Sequence, residues 1–253
     1  QIMYLPCMVA LYRETRNSCY KIMFWLSIVD MVALSVNSIS FGILMIQGSV
    51  FCEKPDVIWV IGCFGMGAWC GACSGCLLLV VNRLCEMLNK SRFFERRVWY
   101  MLCFTTCYGL FFGLFTRPVL FNSSSAAMFF DPYITVPAQV NGYLHTANNL
   151  IVVACTSSLY GVLCVVVVTK QGIMSTEAGK ARTAANAPIF LQAALICSFN
   201  LLAAIIYVYM NFFPSPREVI ILGHIAWQLS HGAPPFIYLF LNRAVRRQFK
   251  QLF

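Results

Sequence analysis

The sequence predicts an all-α membrane protein: a seven-transmembrane helix bundle whose first helix is truncated at its N-terminus, with a short amphipathic C-terminal helix. Three observations predict it. The 253 residues are 60% hydrophobic and 11% charged, against roughly 45–50% apolar and 25% charged in ordinary soluble domains; a bilayer absorbs that apolar excess and a single water-soluble core does not. Uncharged stretches close to the ~20 residues that span about 30 Å of hydrocarbon recur along the chain. The 18 Lys and Arg residues gather at alternate ends of those stretches.

Gln1 to Tyr12 opens the chain. At about 1.5 Å per residue it reaches roughly 18 Å as a helix, too short to cross, so it is read as the inner half of a first span that starts earlier. It has neither the basic flank nor the small-residue cleavage site of a signal peptide. Six complete spans follow, at about residues 22–47, 57–81, 98–116, 147–169, 184–213 and 219–242. Residues 1–253 are therefore read as one domain, with 1–12 as the partial first helix and 243–253 as the amphipathic helix.

Assigning the loops alternately to two sides places Arg13, Arg16, Lys21, Arg83, Lys90, Arg92, Arg96, Arg97, Lys170, Lys180, Arg182, Arg243, Arg246, Arg247 and Lys250 on one side, and only Lys54, Arg117 and Arg217 on the other. Acidic residues split evenly, so the asymmetry belongs to the cations. By the positive-inside rule the C-terminus is cytoplasmic. In the tail, Val245, Phe249, Leu252 and Phe253 share one helical face and the four cations the other, which suits a helix lying on the inner leaflet with membrane lipid as its partner.

Several polar groups interrupt the apolar spans. Asp30 is a carboxylate inside the second helix, and an intramembrane charge is costly unless it faces the bundle interior. Ser27 and Asn37 fall on nearly the same face by helical spacing. With Ser230 and His231 of the last helix, Asp30 and Asn37 form a candidate cation site; a protonated carboxyl that only ties helices together is the alternative. His224 and His231 lie seven residues apart on one face and lack a third ligand, so helix-to-helix hydrogen bonding is favoured over a metal site. Pro234 and Pro235 then kink the last helix and free backbone carbonyls.

The third helix carries Gly67, Gly71 and Gly75, a doubled small-xxx-small pattern that allows close backbone approach and a central position. Its Cys70, Cys73 and Cys76 are read as packing residues, as are most of the 13 cysteines, because a thiol inside an apolar run behaves as a small hydrophobe. The long connection of about 30 residues between Thr116 and Ala147 has a turn-rich middle at Asn122 to Ser125 and the run Phe129-Phe130-Asp131-Pro132-Tyr133, and is a candidate lid over an outward pocket. Sequons stand at Asn122 and Asn89, on opposite predicted sides, which makes Asn122 the glycosylation candidate. No zinc-protease helix, phosphate loop or nucleophile elbow is present, so no enzyme, metal or cofactor is expected. The net charge of +9 forms no basic stripe with stacking aromatics, so no nucleic-acid partner is expected.

The acidic residue in the second helix, the Arg ending the third and a Pro-x-x-Tyr before an amphipathic tail resemble a rhodopsin-like G-protein-coupled receptor. More narrowly, Cys19-Tyr-Lys-Ile-Met-Phe, Val29-Asp30, Val50-Phe-Cys52-Glu-Lys-Pro55, Trp69-Cys70, Asn82-Arg83, Phe130-Asp131-Pro132-Tyr133, His231-Gly232, Ile237-Tyr238-Leu239 and Asn242 resemble the nematode serpentine receptor class T (Srt) family of chemoreceptors, over nearly the whole chain. The resemblance implies a receptor in the plasma membrane of sensory cells that binds a small molecule and signals through a heterotrimeric G protein. It also implies switch roles for Asn82, Arg83, Pro235 and Tyr238. Asn82 replaces the acid that precedes the arginine in rhodopsin-like receptors, so Arg83 is expected to lack a local ion pair. Residues 116–146 contain no cysteine, so Cys52 has no evident outer partner. A small transporter or channel, using Asp30 and the two histidines as a path, is the rival reading.

Overall fold

The computed structural model describes residues 1–15, 17–88, 90–130, 142–173 and 177–251. Arg16, Asn89, Asp131, Pro132, Tyr133, Leu252 and Phe253 lie outside them. The chain is a bundle of helices: α1 (Tyr4–Arg13), α2 (Ser18–Leu34), a π-helical turn (Ser35–Ser40), α3 (Phe41–Ile46), α4 (Pro55–Met87), α5 (Ser91–Phe115), α6 (Tyr143–Ile173), α7 (Glu177–Phe212), α8 (Arg217–Gly232), α9 (Pro234–Leu241) and α10 (Arg243–Lys250). Among the described residues five helices are long and apolar enough to cross a membrane: Ser18–Ile46, Pro55–Met87, Ser91–Phe115, Tyr143–Val166 and Phe190–Phe212. The last predicted span is helical too, but Pro234 and Pro235 divide it into α8 of 16 residues and α9 of 8.

The surface identifies the solvent. Ile46, Tyr100, Phe104, Leu114, Phe115 and Phe240 are each at least two-thirds exposed, an apolar belt that water would penalise and lipid accepts. With the apolar exterior satisfied by lipid, close packing must hold the interior together. Two-thirds of the apolar window of α4 is buried, more than in any other described span, as its glycine pattern predicts. A Cβ on Gly109 of α5 would stand 2.9 Å from the Gly67 carbonyl oxygen and 3.2 Å from the Gly71 Cα, and one on Gly113 would meet the Cys63 carbonyl at 3.0 Å. Four glycines thus let α4 and α5 touch backbone to backbone. Gly75 faces the side chains of Trp25 and Leu26 instead.

The all-α expectation needs one correction. The long connection folds into an antiparallel hairpin, β1 (Leu120–Asn122) and β2 (Ala127–Phe129). Its turn is the Asn122–Ser125 stretch, where the Asn122 side-chain oxygen accepts from the Ser124 amide at 2.9 Å and hydroxyl at 2.6 Å, the local bonding that makes Asn a turn residue. Val50 bridges to Asn122, the Ser123 amide donates to the Ser49 carbonyl at 3.3 Å, and the Ser123 hydroxyl donates to the Gly48 carbonyl at 3.0 Å. Backbone pairing therefore fastens this loop to the turn after α3.

At the opposite, basic end, Asn242 caps α10 by accepting from the Ala244 and Val245 amides. Val245 is fully buried. Gln248 and Arg247 of α10 both reach Glu14 beyond α1, at 3.3 and 3.4 Å. The amphipathic helix is thus docked on α1 along its apolar edge, with Arg247 turned outward.

Candidate functional site

A cavity of about 290 Å³ opens at the hairpin end of the bundle. Its walls come from α4 (Met66, Trp69), the hairpin (Met128, Phe129) with Phe130, the start of α6 (His145), the end of α7 (Tyr207, Met210, Asn211) and α8 (His224, Trp227). A Cβ on Gly65 would stand tight against Val36 Cγ1 at 3.2 Å, with the Trp227 indole at ordinary contact, 3.5 Å away. The hairpin supplies a wall segment of the cavity.

Beneath the cavity a polar network joins α4, α5 and α6. The Trp69 indole N–H donates to Asn149 Oδ1 at 2.9 Å, Asn148 Nδ2 donates to the same oxygen at 3.1 Å, and the Tyr108 hydroxyl donates to Asn148 Oδ1 at 2.9 Å. Those two donors fix the Asn149 amide, so its Nδ2 faces His145 Nε2 at 3.4 Å. A ring nitrogen opposite an amide N–H is an acceptor, which leaves the His145 proton on Nδ1. Asn148 and Asn149 escaped the sequence reading because one uncharged polar pair near the start of an apolar span resembles a helix boundary.

Deeper in the bundle, Asp30 is buried with both carboxylate oxygens engaged. His231 Nδ1 stands 2.7 Å from Oδ1, and the Tyr4 hydroxyl stands 2.9 Å from Oδ2. The same hydroxyl lies 2.6 Å from the His231 carbonyl. The prolines explain that last contact: in an α-helix residue 235 would donate its N–H to the carbonyl of residue 231, but Pro235 has none. Tyr4 of α1 takes the vacated acceptor, so the proline pair frees a backbone carbonyl, as anticipated from the sequence, and another helix then uses it. Tyr238, one turn beyond Pro235, is fully buried. Tyr4 was invisible to sequence reasoning, because a Tyr near the beginning of a short apolar segment carries no pattern.

The four residues named as a cation site are not brought together. Asn37 lies in the π-helical turn, where the clustered Ser35, Asn37, Ser38 and Ser40 offer the backbone side-chain partners in competition with regular helix bonding. Its carbonyl accepts from His224 Nε2 at 3.1 Å and from Gln228 Nε2 at 2.7 Å. Ser230 donates to the Trp227 carbonyl of its own helix. Asn37 with His224, and Asp30 with His231, are therefore two separate ties between the second helix and the last. Trp69 lies against the lower one, its ring edge-on to His231 with centroids 6.2 Å apart. Among the described residues no three His, Cys, Asp or Glu converge as metal ligands.

At the basic end the structure corrects one expectation. Arg83 is buried and has a local acid after all: its Nη1 pairs with Glu86, one turn on in α4, and its Nη2 donates to Asn82 Oδ1. Asn82 in turn donates to the Ser18 hydroxyl at 2.7 Å. The position before the arginine holds Asn82 and no acid, but i and i+3 also face one another on a helix, and Glu86 stands there. Glu95 of α5 accepts from the Ser18 amide at 2.5 Å and stands 3.8 Å from Lys21 Nζ, so this network ties α2, α4 and α5 together. At the other end of the molecule, the sequon residue Asn122 is nearly buried in the hairpin.

Comparison with known proteins bears on what this arrangement serves. The model of the family described as serpentine type 7TM GPCR chemoreceptor Srt matches residues 1–253. The chain is 29% identical over 242 residues, 92% of its length, to serpentine receptor class T-55 of Caenorhabditis elegans, and it spans 64% of that relative's length. Multi-pass helices with lipid-facing apolar flanks, the resemblance carried by the short motifs, and a family match over every residue agree, and the chain belongs to the Srt family of serpentine chemoreceptors.

Proposed function

We propose that this chain is a chemosensory G-protein-coupled receptor of seven spans, with α1 in the first, that binds a small molecule in the cavity at the hairpin end. Ligand occupancy shifts a two-state equilibrium of helix packing and exposes a G-protein-facing surface near Arg83 at the basic end. The excess of cations at that end supports a cytoplasmic placement of Arg83 and α10 in the plasma membrane of sensory cells. The observation that carries the proposal is the position of Trp69. One side chain walls the cavity, holds the Asn149 network and abuts the Asp30–His231 pair, so a ligand that moves the indole changes the packing of the kinked last helix.

Asn82, Arg83, Pro235 and Tyr238 are the switch residues in this reading. The Asn82–Arg83–Glu86 network restrains the resting state, and Pro235 creates the acceptor that Tyr4 clamps. Asp30 serves as a buried tie between helices, and no enzymatic step is assigned to it. The transporter reading is weaker because His224 and His231 hold different partners and do not form one path.

The experiment is ligand-driven nucleotide exchange on a panel of heterotrimeric G proteins, with the protein in cell membranes. Exchange stimulated by a compound, and abolished by Trp69→Ala, is the expected result. Solute flux through the protein with no exchange for any G protein would refute the receptor reading.

A further inference from the structure

At the basic end the acids are already engaged. Glu14 holds Arg247 and Gln248, Glu86 holds Arg83, and Glu95 holds the Ser18 amide and Lys21. Arg92, Arg96 and Arg97 at the start of α5 are exposed, and among the described residues no carboxylate pairs with them. On α10, whose sequence pattern suits the inner leaflet, two cations already hold protein partners: Arg246 donates to the Phe240 carbonyl at 2.7 Å, and Arg247 stands 3.4 Å from Glu14. The uncompensated positive charge therefore belongs to α5.

Helical spacing collects it on one face. Arg92, Arg96, Tyr100 and Phe104 follow at four-residue intervals and form a single stripe, whereas Phe94, Val98 and Leu102 are buried on the opposite side. Arg97 lies beside the stripe with its guanidinium over the Phe93 ring, 4.1 Å from the centroid, a cation–π contact that orders the side chain. Like charges at i and i+4 repel, so Arg92 and Arg96 carry a local cost that an anion from outside the chain removes. Below them Tyr100 and Phe104, 79% and 68% exposed, extend the stripe about 12 Å beyond Arg96 into the apolar belt. Trp99, 65% exposed, flanks it, with Lys21 5.7 Å from its ring. Exposed Trp and Tyr settle at the boundary between headgroups and acyl chains, which sets the arginines at headgroup level and Phe104 among the chains.

We infer that the start of α5 is a binding site for an anionic phospholipid, whose phosphate is held by Arg92, Arg96 and Arg97 through charge-assisted bonds and whose acyl chains lie along Tyr100 and Phe104. Anionic lipids populate the cytoplasmic leaflet, the side on which the proposed orientation puts this end. The inference uses no property of the ligand cavity. Glycosylation mapping reads the orientation by itself, so a wrong orientation is distinguishable from a failure to bind lipid.

The test is native mass spectrometry of the full chain from micelles equilibrated with equal amounts of phosphatidylserine and phosphatidylcholine bearing the same acyl chains. The wild-type chain should retain phosphatidylserine at least about fivefold over phosphatidylcholine, since each Arg near an anionic lipid contributes about fivefold in affinity. Arg92→Gln with Arg96→Gln should lower that retention at least about tenfold. Arg92→Lys with Arg96→Lys, which keeps both charges, and Arg246→Gln with Arg247→Gln on α10 should each lose less than about threefold. Equal retention of the two lipids by the wild-type chain, or a loss from the Lys pair or the α10 pair as large as that from the α5 Gln pair, overturns the inference. Displacement of the lipid by an equal concentration of soluble glycerophosphoserine would also overturn it, because a free phosphate compound would then suffice without the acyl chains.

Discussion

Tyr4→Phe isolates the clamp on the kinked helix. Tyr4 is fully buried, and Phe retains its volume and ring, so the change removes one hydroxyl and little packing. That hydroxyl lies 2.6 Å from the His231 carbonyl and 2.9 Å from Asp30 Oδ2. Asp30 keeps His231 as a partner at 2.7 Å, but the carbonyl has no donor within its own helix because of Pro235. Leaving one buried acceptor unpaired costs about 1–3 kcal/mol. For a chain of this size that corresponds to a melting temperature lower by about 5 °C, read as tryptophan fluorescence during heating in lipid nanodiscs. The decisive measurement is a double-mutant cycle with Pro235→Ala. Alanine restores an N–H that reaches the His231 carbonyl along the helix, so Tyr4→Phe should cost about 1 kcal/mol less in that background. If the two changes add to within about 0.5 kcal/mol, Tyr4 does not substitute for the lost helix bond and the clamp argument fails.

Gly109→Ala places a methyl 2.9 Å from a backbone oxygen of α4 and should lower stability by about 1–3 kcal/mol, whereas Gly161→Ala, which meets nothing within 4 Å, should be neutral or stabilising by up to about 1 kcal/mol; equal thermal shifts for the pair would contradict the close α4–α5 contact. Glu86→Gln removes the acid beside Arg83 and should raise ligand-independent nucleotide exchange by up to about tenfold, equivalent to about 1.4 kcal/mol; an unchanged resting rate would show that the pair does not restrain the receptor. Asn149→Ala leaves the Trp69 N–H and the His145 ring without their shared partner and should weaken ligand binding while Tyr4-dependent stability is retained, as measured by calorimetry and melting together. Glycosylation in microsomes should modify Asn122 and not Asn89, because attachment precedes the packing of Asn122 into the hairpin; modification at Asn89 would invert the proposed membrane orientation.

Composition, span periodicity and small-residue spacing were enough to read a multi-pass helical membrane protein, the central place of the helix bearing Gly67, Gly71 and Gly75, the carbonyl freed by Pro234–Pro235 and the burial of Asp30. Each depends on a property local to one helix, such as hydrocarbon length, the absence of a Cβ or of an N–H, or the cost of a charge in lipid, and such properties are written along the chain. The short motifs, taken in order, also carried the family. What only the tertiary structure decided is which side chain meets which across helices. Tyr4 reaches His231 from more than 200 positions away in sequence, Trp69 finds Asn149 and His231, Asn37 and Asp30 go to different partners although they share a helical face, and Glu86 supplies the acid that Asn82 does not. The hairpin, too, depends on the turn after α3 for its anchor. These pairings depend on helix rotation and separation, which many sequence positions set jointly through packing and which no single spacing encodes.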